Sequence, residues 1–340
     1  MAKFSGDTRM KGLLAATAAG LALTVSVAHA QDDRLYILGT ATTGGTYYPV
    51  GVAVGTLSQV QLRPTHGFSL NAISTAGSGE NVRLMRDNEI QFAIVQGIFG
   101  AWAVGGEEQF EEPQDYMRSI SMLWPNVEHF VVYSDHAETG TIPDLDNLEG
   151  EAFSIGARDS GTEGSGRTIL GNLGYDVDNH FEVVYQGYGP SAESMQNRNI
   201  EGMNIPGGPP VAGVTEAFAN LGNDITILEF TEEQREQANG PYSLWTEFVI
   251  EAGTYPNLDR DITTIAQPNF LAVRNDVAEE DVYELTKAMY ENLDFLRGIH
   301  PATGTMSLET AIGGLPAPLH PGALRYYEEQ GLEIPDNLRP

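Results

Sequence analysis

The residues best placed to do chemistry are the small ones in three glycine-rich turns: Thr43-Gly44-Gly45-Thr46, Gly77-Ser78-Gly79 and Ser160-Gly161-Thr162. Each lies where a strand pattern gives way to a helix pattern. The first N–H groups of a helix have no partner inside it, and glycine lets a ligand approach them closely, so such turns receive anionic oxygens. That chemistry is binding rather than bond-breaking, and a carboxylate is the charge that suits it. Ser78 and Ser160 add hydroxyls, and Tyr47 offers an aromatic wall with a polar tip. Gln96 ends the apolar run Phe92–Val95. A neutral amide at the end of a buried strand needs a partner, and a solute can supply one. Arg158, just before the third turn, suits either a carboxylate clamp or a surface ion pair. Gly207-Gly208-Pro209-Pro210 presets an extended turn that fits a cleft rim or a plain loop.

The motifs of catalysis are missing from the sequence. Ser165 sits in Gly164-Ser165-Gly166, with the glycines in the wrong places for a nucleophile elbow. There is no phosphate-binding Gly-Lys-Ser/Thr loop and no His-Glu-x-x-His. His66, His129, His136, His180, His300 and His320 are dispersed, so a helical zinc pair has no support. Asp159 beside Ser160 is the kind of neighbour an acidic chain produces by chance. The expectation is a non-enzyme with no metal and no cofactor.

The elements that must position these turns alternate between short apolar strands and amphipathic helices, an α/β pattern. Strands are predicted at Leu35–Ala41, Phe68–Ile73 and Ile90–Val95, with helices at Tyr47–Val60 and Gly79–Arg86 between them. The segment Ile120–Tyr133 reads as a crossing into a second lobe. There, strands near Phe153–Ile155, Val183–Tyr185 and Ile225–Leu228 alternate with helices around Thr168–Leu173 and Val211–Leu221. Thr231 and Gln234 form a capping-box signal. Strands at Ile262–Ala266 and Phe270–Val273 and a helix over Glu279–Leu296 then return to the first lobe. The expected division is residues 31–131 and 250–340 for lobe 1 and 132–249 for lobe 2. Ser78–Gln96 and Gly189–Ile205 share an order of turn, helix, polar pair and strand, which suggests two lobes on related plans.

The ends and the charge say where such a protein works. Lys3, Arg9 and Lys11 precede a short apolar run from Leu13 to Val27 and then Ala28-His29-Ala30, the pattern of a cleaved signal peptide over residues 1–30. The reading is of an exported, periplasmic or otherwise extracytoplasmic protein. The whole chain has 47 Asp plus Glu against 18 Lys plus Arg and no Cys; beyond the leader, Lys287 is the only lysine. A nucleic-acid partner is excluded on this ground, because affinity for phosphates rests on basic residues. So acidic a surface suits high salt, where charges are screened over about 3 Å at 1 M. The melting temperature is therefore expected to rise between low and molar NaCl, and a flat series would remove the halophilic reading.

Several stretches together resemble a known family: Thr43–Pro49 (TGGTYYP), Gly77–Leu84 (GSGENVRL), Ile90–Gln96 (IQFAIVQ), Ser160–Thr162 (SGT), Ala252–Pro256 (AGTYP), Tyr283–Leu293 (YELTKAMYENL) and Leu315–Tyr327 (LPAPLHPGALRYY). Over about Leu35 to Gly331 the chain is similar to the TAXI receptors, the solute-binding components of tripartite ATP-independent periplasmic (TRAP) transporters. The resemblance implies a two-lobed periplasmic-binding-protein fold with a central ligand cleft and hinge crossings. It also implies a monomer that captures a small anionic organic solute and docks on the membrane permease subunits of a TRAP transporter. Carried over by position, the contacts are Thr43, Gly44, Thr46, Tyr47, Ser78, Asn81, Gln96, Ser160, Gly161 and Thr162, with Pro209 near the hinge. Family members usually carry an Asp-Ala-aromatic strand before that proline, whereas this chain has Glu201-Gly202-Met203-Asn204, which makes Asn204 a further candidate contact and leaves the solute open. The alternatives are a receptor of another transporter class or a sensor, and, more remotely, an enzyme acting on a small carboxylate.

Overall fold

A computed structural model describes residues 33–340, and the expected leader lies outside the described residues. Eleven strands are described: β1 Arg34–Gly39, β2 Phe68–Ile73, β3 Phe92–Gln96, β4 Met117–Val127, β5 Phe130–Tyr133, β6 Ala152–Ser154, β7 Glu182–Val184, β8 Gly202–Asn204, β9 Ile225–Ile227, β10 Thr246–Ile250 and β11 Ile262–Arg274. They form two sheets. The first runs β10-β11-β3-β1-β2, with β4 also paired to β11, and the second runs β7-β6-β8-β5-β9. Phe130 and Val131 thus pair in the second sheet and Thr246–Val249 in the first.

The two sheets repeat one plan. In the first, β1 lies between parallel β2 and β3, and β11 adds antiparallel to β3. In the second, β6 lies between parallel β7 and β8, and β5 adds antiparallel to β8. The correspondence extends to single turns. Helix Ser78–Arg86 ends with Asn88 at φ +57° and helix Tyr188–Gln196 with Arg198 at φ +52°. The closing bonds match as well: the N–H of Asn88 to the carbonyl of Met85 and of Glu89 to Leu84, then of Arg198 to Met195 and of Asn199 to Ser194. Parallel strands covered on both faces read as continuous apolar runs, which is why Phe92–Val95 is wholly buried.

Three elements differ from the sequence expectation, the first being the crossing over Ile120–Tyr133, which is two strands, β4 and β5, in different sheets. Ile262–Ala266 and Phe270–Val273 are halves of one strand, β11, and the ladder with β4 shifts register between Pro268 and Phe270. A proline without an N–H is accommodated at such an irregularity, so it interrupts the pattern without ending the strand. The helix expected over Glu279–Leu296 breaks at Asn292, giving Glu279–Glu291 and Leu293–Ile299. The Asn292 side chain donates to the carbonyl of Ala288 at 2.8 Å, the local competition that makes asparagine a poor helix residue. The capping box at Thr231 and Gln234 is present in full.

The chain passes between the sheets after β4 and again between β9 and β10. Glu128 and His129 form the first passage, and both are fully buried. The N–H of Glu128 bonds to the carbonyl of Ile265 and the carbonyl of His129 accepts from Ile205. Both His129 ring nitrogens are engaged, Nδ1 with the carbonyl of Val127 at 2.9 Å and Nε2 with the hydroxyl of Tyr255 at 2.8 Å. Burial lowers its pKa to about 4, so it stays neutral and structural. Among the described residues no helix is long and apolar enough to cross a membrane.

Candidate functional site

Four helix starts meet between the sheets. Thr46-Tyr47 and Gly77-Ser78 come from the first, Ser160-Gly161 and Gly187-Tyr188 from the second, and all eight residues border one cavity. In helix Ser78–Arg86 the N–H of Glu80 bonds to the carbonyl of Asp159 across the gap at 3.0 Å and that of Asn81 to Gly77 at 2.8 Å, leaving the N–H of Ser78, which borders the cavity, for a guest. In helix Gly161–Asn172 the Ser160 hydroxyl caps Glu163 at 3.0 Å, leaving those of Gly161 and Thr162. Gly77 sits at φ +127°, where a residue with a Cβ is strained. At Gly161 an added Cβ would lie 2.7 Å from Ser78 Oγ and 2.9 Å from Gln96 Oε1, so the two helix starts touch only because this residue is glycine.

The wall is uncharged, with its polar groups set among Ala41, Ala76, Ala157 and Pro206: no Asp, Glu, Lys or Arg borders the cavity. Tyr47 and Tyr188 are held neutral, burial raising both pKa values well above the usual phenol range. The Tyr188 hydroxyl donates to the carbonyl of Pro206 at 2.6 Å and lies 2.7 Å from the Thr162 hydroxyl. The Thr46 hydroxyl donates to the carbonyl of Gly208 at 2.9 Å. Two amide atoms facing this wall have no partner: Gln96 Oε1 and Asn126 Nδ2. The free space in the cavity is about 30 Å³, room for about two waters. Among the described residues no cluster of metal-ligating side chains is assembled.

Of the residues singled out in the sequence, Thr46, Tyr47, Ser78, Gln96, Ser160, Gly161 and Thr162 come together here. Six do not. Thr43 is exposed. Gly44 is packed against Gly189 and Tyr188, and its carbonyl accepts from Gly213. Asn81 is buried with its amide spent inside the first lobe, on the carbonyls of Thr40 and Ile94 and the hydroxyl of Thr75. Arg158 points out and stacks on the Tyr185 ring at 3.6 Å, the cation–π alternative to a clamp. Asn204 donates to Glu128 at 3.0 Å, behind the wall. Pro209 lies past the rim, which Pro206 and Gly207 form instead.

Sequence reasoning missed Asn126, Gly187 and Tyr188. The internal repeat carries the signal for the last two, since Gly187-Tyr188 stands 110 positions after Gly77-Ser78 and opens the matching helix. Asn126 lies near the end of a long strand with no turn beside it and leaves no local mark.

Behind the wall sits Glu128, hydrogen-bonded by Asn204 and, at 3.4 Å, by the Ser165 hydroxyl. Burial pushes its carboxyl from the usual 4.5 up to about 7, with those two bonds opposing the rise.

Among solved structures the chain is similar to MatC from Rhodopseudomonas palustris with bound malate, at 14% identity and TM-score 0.54, over 87% of this chain and 98% of that one. Likeness is weaker to the alkanesulfonate-binding protein SsuA from Xanthomonas axonopodis pv. citri bound to MOPS, at 11% identity and TM-score 0.45, over 88% and 91%. A binding component of an ABC phosphonate transporter from Pseudomonas aeruginosa matches at 11% identity and TM-score 0.47, over 80% and 79%. The MatC likeness and the paired sheets give an α/β fold of the type-II periplasmic-binding-protein kind. Residues 38–331 match the NMT1-like family, nearly the whole described chain, and the protein belongs to that family.

Proposed function

We propose that the protein is an extracytoplasmic solute receptor that captures a small anionic organic solute, a carboxylate or an acidic or amide amino acid, between two lobes. The observation that carries this reading is the meeting of unpartnered helix N–H groups from both sheets on one uncharged cavity. Such dipole ends stabilise an anionic oxygen without a cationic side chain. MatC, which shares the fold, is described with bound malate, a solute of this class. The lobes are proposed to follow the two sheets, so that Phe130 and Val131 go with the second lobe and Thr246–Val249 with the first, a shift of a few residues from the division expected of the sequence. They close by bending at the two passages, and closure strengthens each hydrogen bond by removing water. The TAXI resemblance supports delivery to TRAP membrane subunits, and the acidic surface suits a salty exterior. A receptor, not an enzyme, is the reading.

A thermal-shift screen over amino acids and small mono- and dicarboxylates, at low and high salt, tests the reading. A cognate solute at 100 times its Kd stabilises the fold by about 2.7 kcal/mol, expected as a rise of about 4 °C for a chain of this size. A panel in which no small acid moves the transition sinks the proposal.

A further inference from the structure

The unpartnered atoms of the cavity say more about the guest than its charge does. Gln96 and Asn126 are 3% and 1% exposed, yet Gln96 Oε1 and Asn126 Nδ2 have no hydrogen-bond partner. Gln96 stands at the end of β3, its own N–H held by the Ser78 hydroxyl at 3.0 Å, and its Oε1 lies beside Gly161. Asn126 ends a chain of side-chain bonds. The Tyr47 hydroxyl donates to Asn269 Oδ1, and Asn269 Nδ2 donates to Asn126 Oδ1 at 3.3 Å. That order leaves Asn126 with its N–H₂ free, a further donor for an anionic oxygen.

The Gln96 oxygen is the misfit. A carboxylate can use the helix N–H groups and Asn126 Nδ2, but it can give Gln96 Oε1 nothing except repulsion, because an ionised carboxylate only accepts. A buried acceptor left unpaired costs the desolvation of that group. Building on the receptor reading above, we propose that the solute carries a hydrogen-bond donor, a hydroxyl or an amine, close to its carboxylate, and that Gln96 Oε1 accepts from it. Gln96 is then the residue that separates hydroxy and amino acids from plain carboxylic acids of the same size.

The test uses matched acids on the full mature chain: lactate, alanine and propionate, then malate, aspartate and succinate, by calorimetry. In at least one set the donor-bearing acid is expected to bind roughly 10- to 100-fold more tightly than its plain analogue. Lactate against alanine, and malate against aspartate, tell hydroxyl from amine. Gln96→Met keeps the length of the side chain and the backbone bond to Ser78. It is expected to bring donor-bearing and plain acids within about threefold of each other, mainly by weakening the former. If in every set that binds the plain acid binds wild type as tightly as its donor-bearing counterparts, the proposal falls while the receptor reading stands. If none of the six binds, the comparison is made between the acid found by the thermal-shift screen and its analogue without the donor, and equal affinities there overturn the proposal while the receptor reading stands. The wild-type comparison decides the matter even if the variant fails to fold.

Discussion

Gly161→Val is expected to weaken solute binding by about 100-fold or more while leaving the far-UV circular dichroism and the melting temperature of the solute-free protein close to wild type. The obstruction arises between the sheets, not within one. Gly161 opens a helix of the second lobe, and an added Cβ meets Ser78 and Gln96 of the first at 2.7–2.9 Å. Each lobe can therefore fold around the valine, and the cost of overpacking, about 1–3 kcal/mol or more, falls on the closed arrangement that holds the guest. About 2.7 kcal/mol corresponds to a hundredfold change in Kd. Calorimetry against the acid found by the screen reads this directly, and near-normal affinity would show that the solute sits elsewhere.

Glu128→Gln is expected to stabilise the protein in mild alkali and to do little in acid. The Glu128 carboxyl is raised from 4.5 to about 7 by burial, so the folded chain holds that proton over an interval in which the unfolded chain has released it. A group raised in this way contributes its full stability below the unfolded value near 4.5 and loses it as the pH climbs through about 7. At about 1.4 kcal/mol for each pH unit of displacement, the whole loss is about 3 kcal/mol. The amide has no proton to lose. Its oxygen can keep the bond from Asn204, and its nitrogen can donate to the Ser165 hydroxyl. Urea melts at pH 8.5 should favour the variant by about 2–3 kcal/mol, and the gap should close toward pH 4.5. A difference that does not change with pH would mean that the carboxylate is not the source.

Ser78, Ser160, Gly161 and Thr162 were legible in the sequence because a small residue between a strand and a helix has few other uses, and the chain folds those junctions onto one space. Gln96 was legible for a different reason, since an amide closing a buried apolar run must find a partner. Asn81, carried over from the family resemblance, instead spends its amide on Thr40, Thr75 and Ile94, a choice set by tertiary packing and invisible to spacing. Arg158 was read as a carboxylate clamp or a surface ion pair, and it instead stacks on Tyr185, 27 positions away. Most of the strand and helix order was readable, but helices Gly97–Gly105 and Pro321–Glu329 and strand Thr246–Ile250 were not foreseen. The misreadings at Pro268 and Asn292 fall on residues whose local preference is to break an element, where long-range pairing in one case and a side-chain bond in the other decided the outcome.

The two sheets also differ in how their strands are spread along the chain. The second is made from one contiguous stretch, Phe130–Ile227, whereas the first cannot finish until β10 and β11 arrive from beyond Thr246. As the polypeptide emerges from its N-terminus, β1 to β3 must wait with an open edge at β3 while the inserted unit closes on local partners. Non-local pairing is slow and leaves edges exposed to wrong neighbours, so truncation after residue 245 should leave the early strands aggregation-prone and also strip Ile250, Tyr255 and Ile262 from the core of the second sheet.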